Sequence, residues 1–280
     1  GLIGITSAWL ARIKNRIYTR HYSDYHHSLY PKAVKYDRWI NKRSTSIIAV
    51  SDVVKAILVD KESVKAEKVR VIEHGLKPNH FQNISEDRVT QLMARHNIPS
   101  DKKIIGVVSR YTKIKGIQYI IPAFKRLVEK DKNLHLVLAN ANGDYKGDIQ
   151  NLLQELPENK YTEIEFENDN AALFSVFDAF VHVPISPTVE AFGLVYLESM
   201  MSKAPGVFTK SGIGNDILID NKNCCIVNYC DSEEIENALL KILNDKPLSE
   251  LIQQNGVETA KSFTFEKKLN KIQDLYFSLK

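Results

Sequence analysis

The sequence predicts a doubly wound α/β fold, a parallel sheet covered by helices on both faces. Two observations carry that expectation. From about residue 102 onward, short β-branched apolar runs alternate with longer amphipathic stretches. Hydrophobic residues make up 44% and charged residues 26% of the 280, a globular balance that excludes disordered, collagen-like and coiled-coil chains. At 31.9 kDa the chain has the length of about two domains.

Taken in order, the first hundred residues hold strand-like runs at 16–19, 46–50 and 68–72, with helical stretches at 32–42 and 53–59. Three strands are too few for an independent doubly wound domain and too ordered for a tail. The region therefore reads as the last third of a domain whose beginning is missing, in a chain that starts at Gly1. Residues 74–81, with Gly75 and Pro78, break both periods and read as a linker. Strands follow at 104–108, 134–139, 164–166, 179–183, 207–208 and 226–227, and between them helices at 116–130, 148–156, 170–177, 192–202 and 232–243. Asp231 and Ser232 ahead of Glu233 and Glu234 give that last helix its capping oxygens and first-turn acids. Phe265, Leu269, Ile272, Leu275 and Tyr276 at helical spacing predict a closing helix. The expected organisation is a first domain over 1–75, a second over 76–262, and a helix over 263–280 that packs back toward the first.

Charge and cysteine content narrow the function classes. Lys and Arg number 38 against 34 Asp and Glu, a net +4 that is too small to carry phosphate-backbone binding, so nucleic acid is not an expected partner. Cys224, Cys225 and Cys230 form no CxxC pair, which fits a reducing compartment and a cytoplasmic protein. The apolar start from Leu2 to Leu10 precedes Arg12, Lys14 and Arg16, the reverse of a secretory signal, and no run reaches the roughly 20 apolar residues of a spanning helix. Residues 9–20 set Leu10, Ile13 and Ile17 opposite Arg12, Lys14, Arg16 and Arg20. This reads as a basic amphipathic helix that either packs beside a strand or touches a membrane surface at the periphery.

The densest chemical signal lies between Ser186 and Met201. The helix expected after Glu190 is apolar nearly all round, and Glu198 is its only charge. Such a carboxylate must be paired, hydrogen-bonded or turned to a solvent gap. Glu190 stands at the carboxyl end of a strand, where parallel sheets place their ligands. Backbone N–H groups near Phe192, Gly193 and Leu194 face the same crevice and, with the helix dipole, make an anion site that Gly193 opens to close approach. The arrangement suits a phosphate beside a hydroxyl-binding carboxylate.

The pattern Glu190-x7-Glu198, with Phe192-Gly193-Leu194 inside it, resembles the EX7E motif of the retaining family 4 glycosyltransferases, which have the GT-B fold. Val107-Val-Ser-Arg110-Tyr-Thr-Lys-Ile-Lys115-Gly116 is similar to the strand, arginine, loop and Lys-Gly that open that family's donor-binding domain. Ile48-Ala-Val-Ser51, Val71-Ile-Glu-His74-Gly75 and Phe81 resemble the last strands of its acceptor domain and the crossing linker. Departures occur at Lys203, where the family has a glycine, at the Ser211–Asn215 loop, where it has paired glycines, at Asp216, which stands near a usual glutamate, and at the 138–143 strand end, which lacks its first glycine.

The resemblance implies two Rossmann-like domains facing a cleft, the acceptor-binding one incomplete and the donor-binding one a complete doubly wound sheet. It implies a retaining transfer of a sugar from a nucleotide diphosphate sugar to a sugar or lipid-linked glycan acceptor, in polysaccharide or glycoconjugate synthesis, with no cofactor and no metal. Arg110 and Lys115 would meet the donor diphosphate, Glu190 the donor-sugar hydroxyls, Glu198 the ribose, and Phe192, Gly193 and Leu194 would line the donor site. His21, in Ile17-Tyr-Thr-Arg20-His21, resembles the family's acceptor-side histidine. The base-contacting segment should lie near Phe166, Glu167 and Asn168, which do not tell uridine from guanosine or adenosine.

Alternatives stay open from the residues themselves. His21, Asp24, His26 and His27 read either as a polar loop or as a metal cluster. Tyr22, Tyr25, Tyr30, Tyr36 and Trp39 read as cleft lining or as core. A non-catalytic nucleotide-sugar-binding protein and a GT-B epimerase or hydrolase share the same donor-site pattern.

Overall fold

The computed structural model describes residues 1–279, save the side chain of Glu158. Its first part is a three-stranded parallel sheet. Helix α1 (Leu2–Leu10) precedes β1 (Ile17–Arg20); α2 (Tyr25–Leu29) and α3 (Val34–Arg43) lead to β2 (Ser46–Ala49); and α4 (Asp52–Ala56), prolonged by a wider turn over Ile57–Lys61, leads to β3 (Val69–Val71). The order is β1-β2-β3, with Ile17 opposite Ser46 and Ile47 opposite Val69. All four β2 residues are buried, as a central strand covered on both faces must be.

The stretch 9–20 is not one helix. Helix α1 ends at Leu10, Arg12 takes the left-handed conformation at φ 56°, and Ile17–Arg20 joins the sheet. Tertiary pairing overrides the amphipathic pattern, because Arg20 is wanted inside: it is 1% exposed and its guanidinium meets Glu62 at 2.6 Å and Asp37 at 3.3 Å. His26 holds Asp37 at 2.7 Å, Asn41 donates to Glu62 at 2.6 Å, and the Tyr22 ring lies under the guanidinium. Trp9 and Trp39 meet edge to face with the Arg43 guanidinium over both. No helix among the described residues is long and apolar enough to cross a membrane.

The second part begins with α5 (Glu86–Arg95) and runs β4 (Lys103–Val108), α6 (Ile117–Lys130), β5 (Leu134–Ala139), α7 (Lys146–Leu153), β6 (Tyr161–Ile164), α8 (Asn170–Ser175), β7 (Ala179–His182), α9 (Leu194–Met201), β8 (Gly206–Phe208), α10 (Gly214–Ile217), β9 (Cys225–Ile226), α11 (Ser232–Asn244) and α12 (Lys246–Ala260). All its strand pairs are parallel, and the order is β6-β5-β4-β7-β8-β9. Helices α6, α7 and α11 cover one face through Ile117, Phe124, Ile149 and Leu239, and α5, α8 and α9 cover the other through Leu92, Phe174, Tyr196 and Leu197. Strand β6 lies three residues earlier than its apolar run suggests. Tyr161 pairs with Leu136 and Ile164 with Ala139, whereas Phe166, the run's last residue, is 68% exposed beyond the sheet edge.

The expected closing helix is α13 (Phe265–Phe277), capped by Thr264; Lys280, the end of that expectation, lies outside the described residues. Leu275 and Ile272 pack against Ile48 of the first sheet and Ile72 just after β3. Leu76 N donates to Phe263 O, and Phe265 N donates to Leu76 O, at 2.9 and 2.8 Å. Gly75 permits this contact, since a Cβ there would stand 2.1 Å from the Thr264 carbonyl oxygen.

Candidate functional site

Strand order places the site. In the order β6-β5-β4-β7-β8-β9 the chain winds outward in both directions from the β4/β7 boundary, so the loops leaving the carboxyl ends of these two strands diverge and leave a crevice. The loop after β4 carries Arg110 and a short 3₁₀ turn, Lys113–Lys115, and enters α6 through Gly116. The loop after β7 carries Glu190 and enters α9 through Gly193. Ile185 N donates to Ile114 O at 3.1 Å and ties the two loops together.

Both glycines are required by the backbone. Gly116 and Gly193 have φ of 78° and 90°. A Cβ on Gly116 would sit 2.0 Å from the Val183 carbonyl oxygen, and one on Gly193 would sit 2.6 Å from the Tyr196 ring. Gly116→Ala is therefore expected to push the Lys115 turn off the β7 loop: left-handed strain alone costs on the order of 1–3 kcal/mol. Calorimetry on the variant should show a lowered Tm.

The Glu190 carboxylate is the best-held group in the crevice. Oε1 accepts from Lys115 Nζ at 2.5 Å and from His182 Nε2 at 3.0 Å, and the Glu190 N–H donates to Ser211 Oγ at 2.9 Å. Burial pushes its carboxyl up, but the His182 hydrogen bond and the Lys115 charge outweigh this and hold it down to about 2. Burial pushes the His182 imidazole down, so it donates as a neutral ring. The stability carried by the depressed Glu190 is thus present above the ordinary carboxylate value and lost as pH falls toward 2.

These loops form the far wall of a cleft of about 880 Å³, and the first sheet forms the near wall. Of the residues singled out in the sequence, Arg110, Lys115, Glu190, Phe192, Gly193, Leu194 and His21 all line it. Glu198 does not. It lies one turn into α9, half-buried, with a hydrogen bond to the Asn170 side chain, and burial raises its carboxyl. The walls differ in charge: Arg110, Lys113, Lys115, Asp144 and Glu190 belong to the second part, whereas the first contributes His21, Tyr22, Ser23, Tyr25, His26, Leu29 and Val50. Tyr36 and Trp39 are not among the lining residues. The loop after β1 clasps the loop after β7, with Ser23 Oγ donating to Thr188 O and Thr188 Oγ1 donating to Asp24 at 2.7 Å. Ser51, the cap of α4, donates to Ala191 O at 2.5 Å.

The histidines after β1 pair with the two buried acids that Arg20 also holds. His26 meets Asp37, His27 meets Glu62 at 3.1 Å, and Asp24 meets Thr188 and Lys61, so no three ligands converge among the described residues.

Sequence reasoning missed His182 and His74. His182 closes an apolar strand, and a histidine at a buried strand end was the available signal. His74 lines the cleft, stacks on His21 at 5.5 Å and meets the Phe192 ring edge-on at 5.2 Å. Its Nδ1 receives Lys268 Nζ of α13 at 3.0 Å. Burial, then the Lys268 charge and the neighbouring His21, lower His74 to about 4 from 6.5. Between those two values the unfolded chain binds the proton and the folded one does not, so His74 contributes stability at neutral pH that is lost as pH falls from about 6.5 to about 4. Acid titration of the Tm should show this loss in the parent and a smaller one in His74→Asn.

The glycosyl transferases group 1 family model matches residues 89–259, and the Glycosyltransferase Family 4 model matches residues 1–80. The chain belongs to the group 1 glycosyl transferases. It is 27% identical over 216 residues to the capsular polysaccharide biosynthesis glycosyltransferase CapM of Staphylococcus aureus, covering 76% of this chain and 56% of that one. To the alpha-monoglucosyldiacylglycerol synthase of Streptococcus pneumoniae it is 28% identical over 280 residues, 92% of this chain and 61% of the relative. This group 1 chain thus spans little more than half the length of the curated relatives it matches. Its fold is GT-B. Anabaena HepE, solved with UDP and glucose, superposes with a TM-score of 0.85 at 20% identity, over 99% of this chain and 74% of HepE. WaaG, a glycosyltransferase involved in lipopolysaccharide biosynthesis, superposes at 0.78 with 16% identity, over 97% and 80%.

Proposed function

We propose that this chain carries the donor site and reaction centre of a retaining glycosyltransferase, which moves a sugar from a nucleotide diphosphate sugar to an acceptor hydroxyl. The observation that carries the reading is the Glu190 carboxylate, held ionised by Lys115 and His182 where the β4 and β7 loops part, beside Arg110 and the start of α9. In this reading the diphosphate lies against Arg110, Lys115 and the first amides of α9, a fork, a point charge and a helix start that together offset the charge of the leaving group. Glu190 accepts from hydroxyls of the transferred sugar. Glu198, deeper on α9, meets the ribose.

The bond from the anomeric carbon to the diphosphate oxygen breaks, and the acceptor oxygen bonds to the same face of that carbon. The acceptor proton passes to a leaving phosphate oxygen. No side chain has to become a nucleophile, and catalysis rests on preorganised charge, each contact being worth on the order of 2–4 kcal/mol. The near wall, aromatic and without lysine or arginine, suits the face of a sugar acceptor. The capsular polysaccharide and glycolipid relatives matched support a product in polysaccharide or glycolipid assembly, and work at an inner membrane surface would suit a lipid-linked acceptor.

Solved neighbours that hold UDP make it the first nucleotide to try. The test is a thermal-shift panel of UDP, GDP, ADP and their sugars in the presence of a chelator. The reading expects one base to raise Tm in the parent and to lose that effect in Lys115→Ala. If no nucleotide stabilises the chain, the donor site has been misread.

A further inference from the structure

His74 stands where three separate elements meet. It sits in the crossing segment between the two parts, stacks on His21 from the loop after β1, and touches Phe192 beside Glu190 edge-on. Among the described residues it alone lines both the main cleft and a smaller pocket built by Glu73, Thr264, Lys267, Lys268 and Lys271. The ring is therefore the partition between the two. A lysine ammonium can only donate, so the Lys268 contact at 3.0 Å makes Nδ1 the acceptor and fixes the ring proton on Nε2. That Nε2–H has no partner among the described residues, and Lys268, on the small-pocket side, leaves it the cleft.

We propose that His74 is a contact for the transferred sugar, its Nε2–H donating to a hydroxyl of the ring that Glu190 holds from the other side, with Lys268 of the closing helix as the positioning residue that fixes the donor tautomer. This rests on the donor-site reading above. Glu190 offers only acceptors to the sugar, since its own N–H is spent on Ser211. A neutral imidazole offers a donor at the same place without adding a cation that would compete with Arg110 and Lys115 for the diphosphate. Phe192 and His21 pin the ring on two sides, so the hydrogen bond needs little ordering when the sugar arrives.

The test separates sugar from nucleotide. The full chain is titrated calorimetrically with UDP and with UDP-glucose, UDP-galactose and UDP-N-acetylglucosamine, and the extra affinity of the best nucleotide sugar over UDP is compared between variants. His74→Ala is expected to keep the UDP affinity within about twofold and to lose roughly 3–10-fold of the sugar's increment, the value of one hydrogen bond. His74→Gln, which still presents an amide donor, should recover part of it. Lys268→Met should lose less than His74→Ala, and its ring nitrogens should show why. In the parent, ¹⁵N spectra place an unprotonated Nδ1 beside a protonated Nε2, and in Lys268→Met the two signals converge toward a tautomer mixture. An unchanged increment in His74→Ala, or a parent with no increment for any of the sugars, overturns the inference while the donor site stands. Absence of nucleotide binding by the parent overturns the donor-site reading and this inference with it.

Discussion

Glu190→Gln is expected to lower kcat/KM for sugar transfer at least about 100-fold, the cost of losing one preorganised electrostatic contact, while Tm moves by only a few degrees. Gln has nearly the same volume and still offers an oxygen to His182, but it removes the charge that Lys115 faces at 2.5 Å. Lys115 is then free to move with the diphosphate, so nucleotide affinity should hold or rise while turnover falls. That split between binding and turnover is the signature of a group acting on the sugar rather than on the phosphate. A variant that turned over at the parental rate would remove Glu190 from the reaction.

Arg20→Leu is expected to be the most damaging substitution for stability. Arg20, Asp37 and Glu62 have side-chain exposures of 1%, 2% and 0%, and the guanidinium is the cation both acids share. Removing one partner of a buried ion network leaves uncompensated charge and costs about 3–5 kcal/mol, which in a chain of this size lowers Tm by on the order of 6–20 °C. The cause can be isolated with a second variant. Arg20→Leu/Glu62→Leu, which also deletes a stranded carboxylate, should melt above Arg20→Leu alone. If the double variant melts lower still, packing rather than stranded charge explains the loss.

The architecture was legible because it depends on local patterns. β-branched runs fixed eight strands to within a residue or so at each end, and Phe265, Leu269, Ile272, Leu275 and Tyr276 at helical spacing announced the closing helix. Strand β6 slipped because Phe166 continues the apolar alternation of Ile164 beyond the point where the sheet stops. Helix α12 left almost no apolar signature, since Ile252, Gly256 and Ala260, its buried residues, include two small ones that admit α9 closely. Lys203 follows α9 at φ 59°, the conformation that a glycine takes without strain, so a departure in residue type preserved the backbone geometry.

The site divided along the same line. Arg110, Lys115 and Glu190 lie in loops that follow strands, and strand order alone brings such loops together, which makes them readable one at a time. Arg20 looked like one more cation on a basic helical face because nothing in its neighbourhood reveals Glu62, 42 residues away. His74 was read as linker for the same reason, its defining partner Lys268 being 194 residues further along. Groups whose role is set by a distant partner are invisible to periodicity.

The central claim is that the diphosphate of a nucleotide sugar sits between Arg110, Lys115 and the start of α9, with the sugar against Glu190. A crystal structure of the full chain soaked with UDP-glucose tests it directly. Phosphate oxygens should then lie within hydrogen-bond reach of Arg110, of Lys115 Nζ and of the Gly193–Leu194 amides, with a sugar hydroxyl on Glu190. A nucleotide bound elsewhere, with the Lys115–Glu190 pair untouched and the cleft empty, would contradict it.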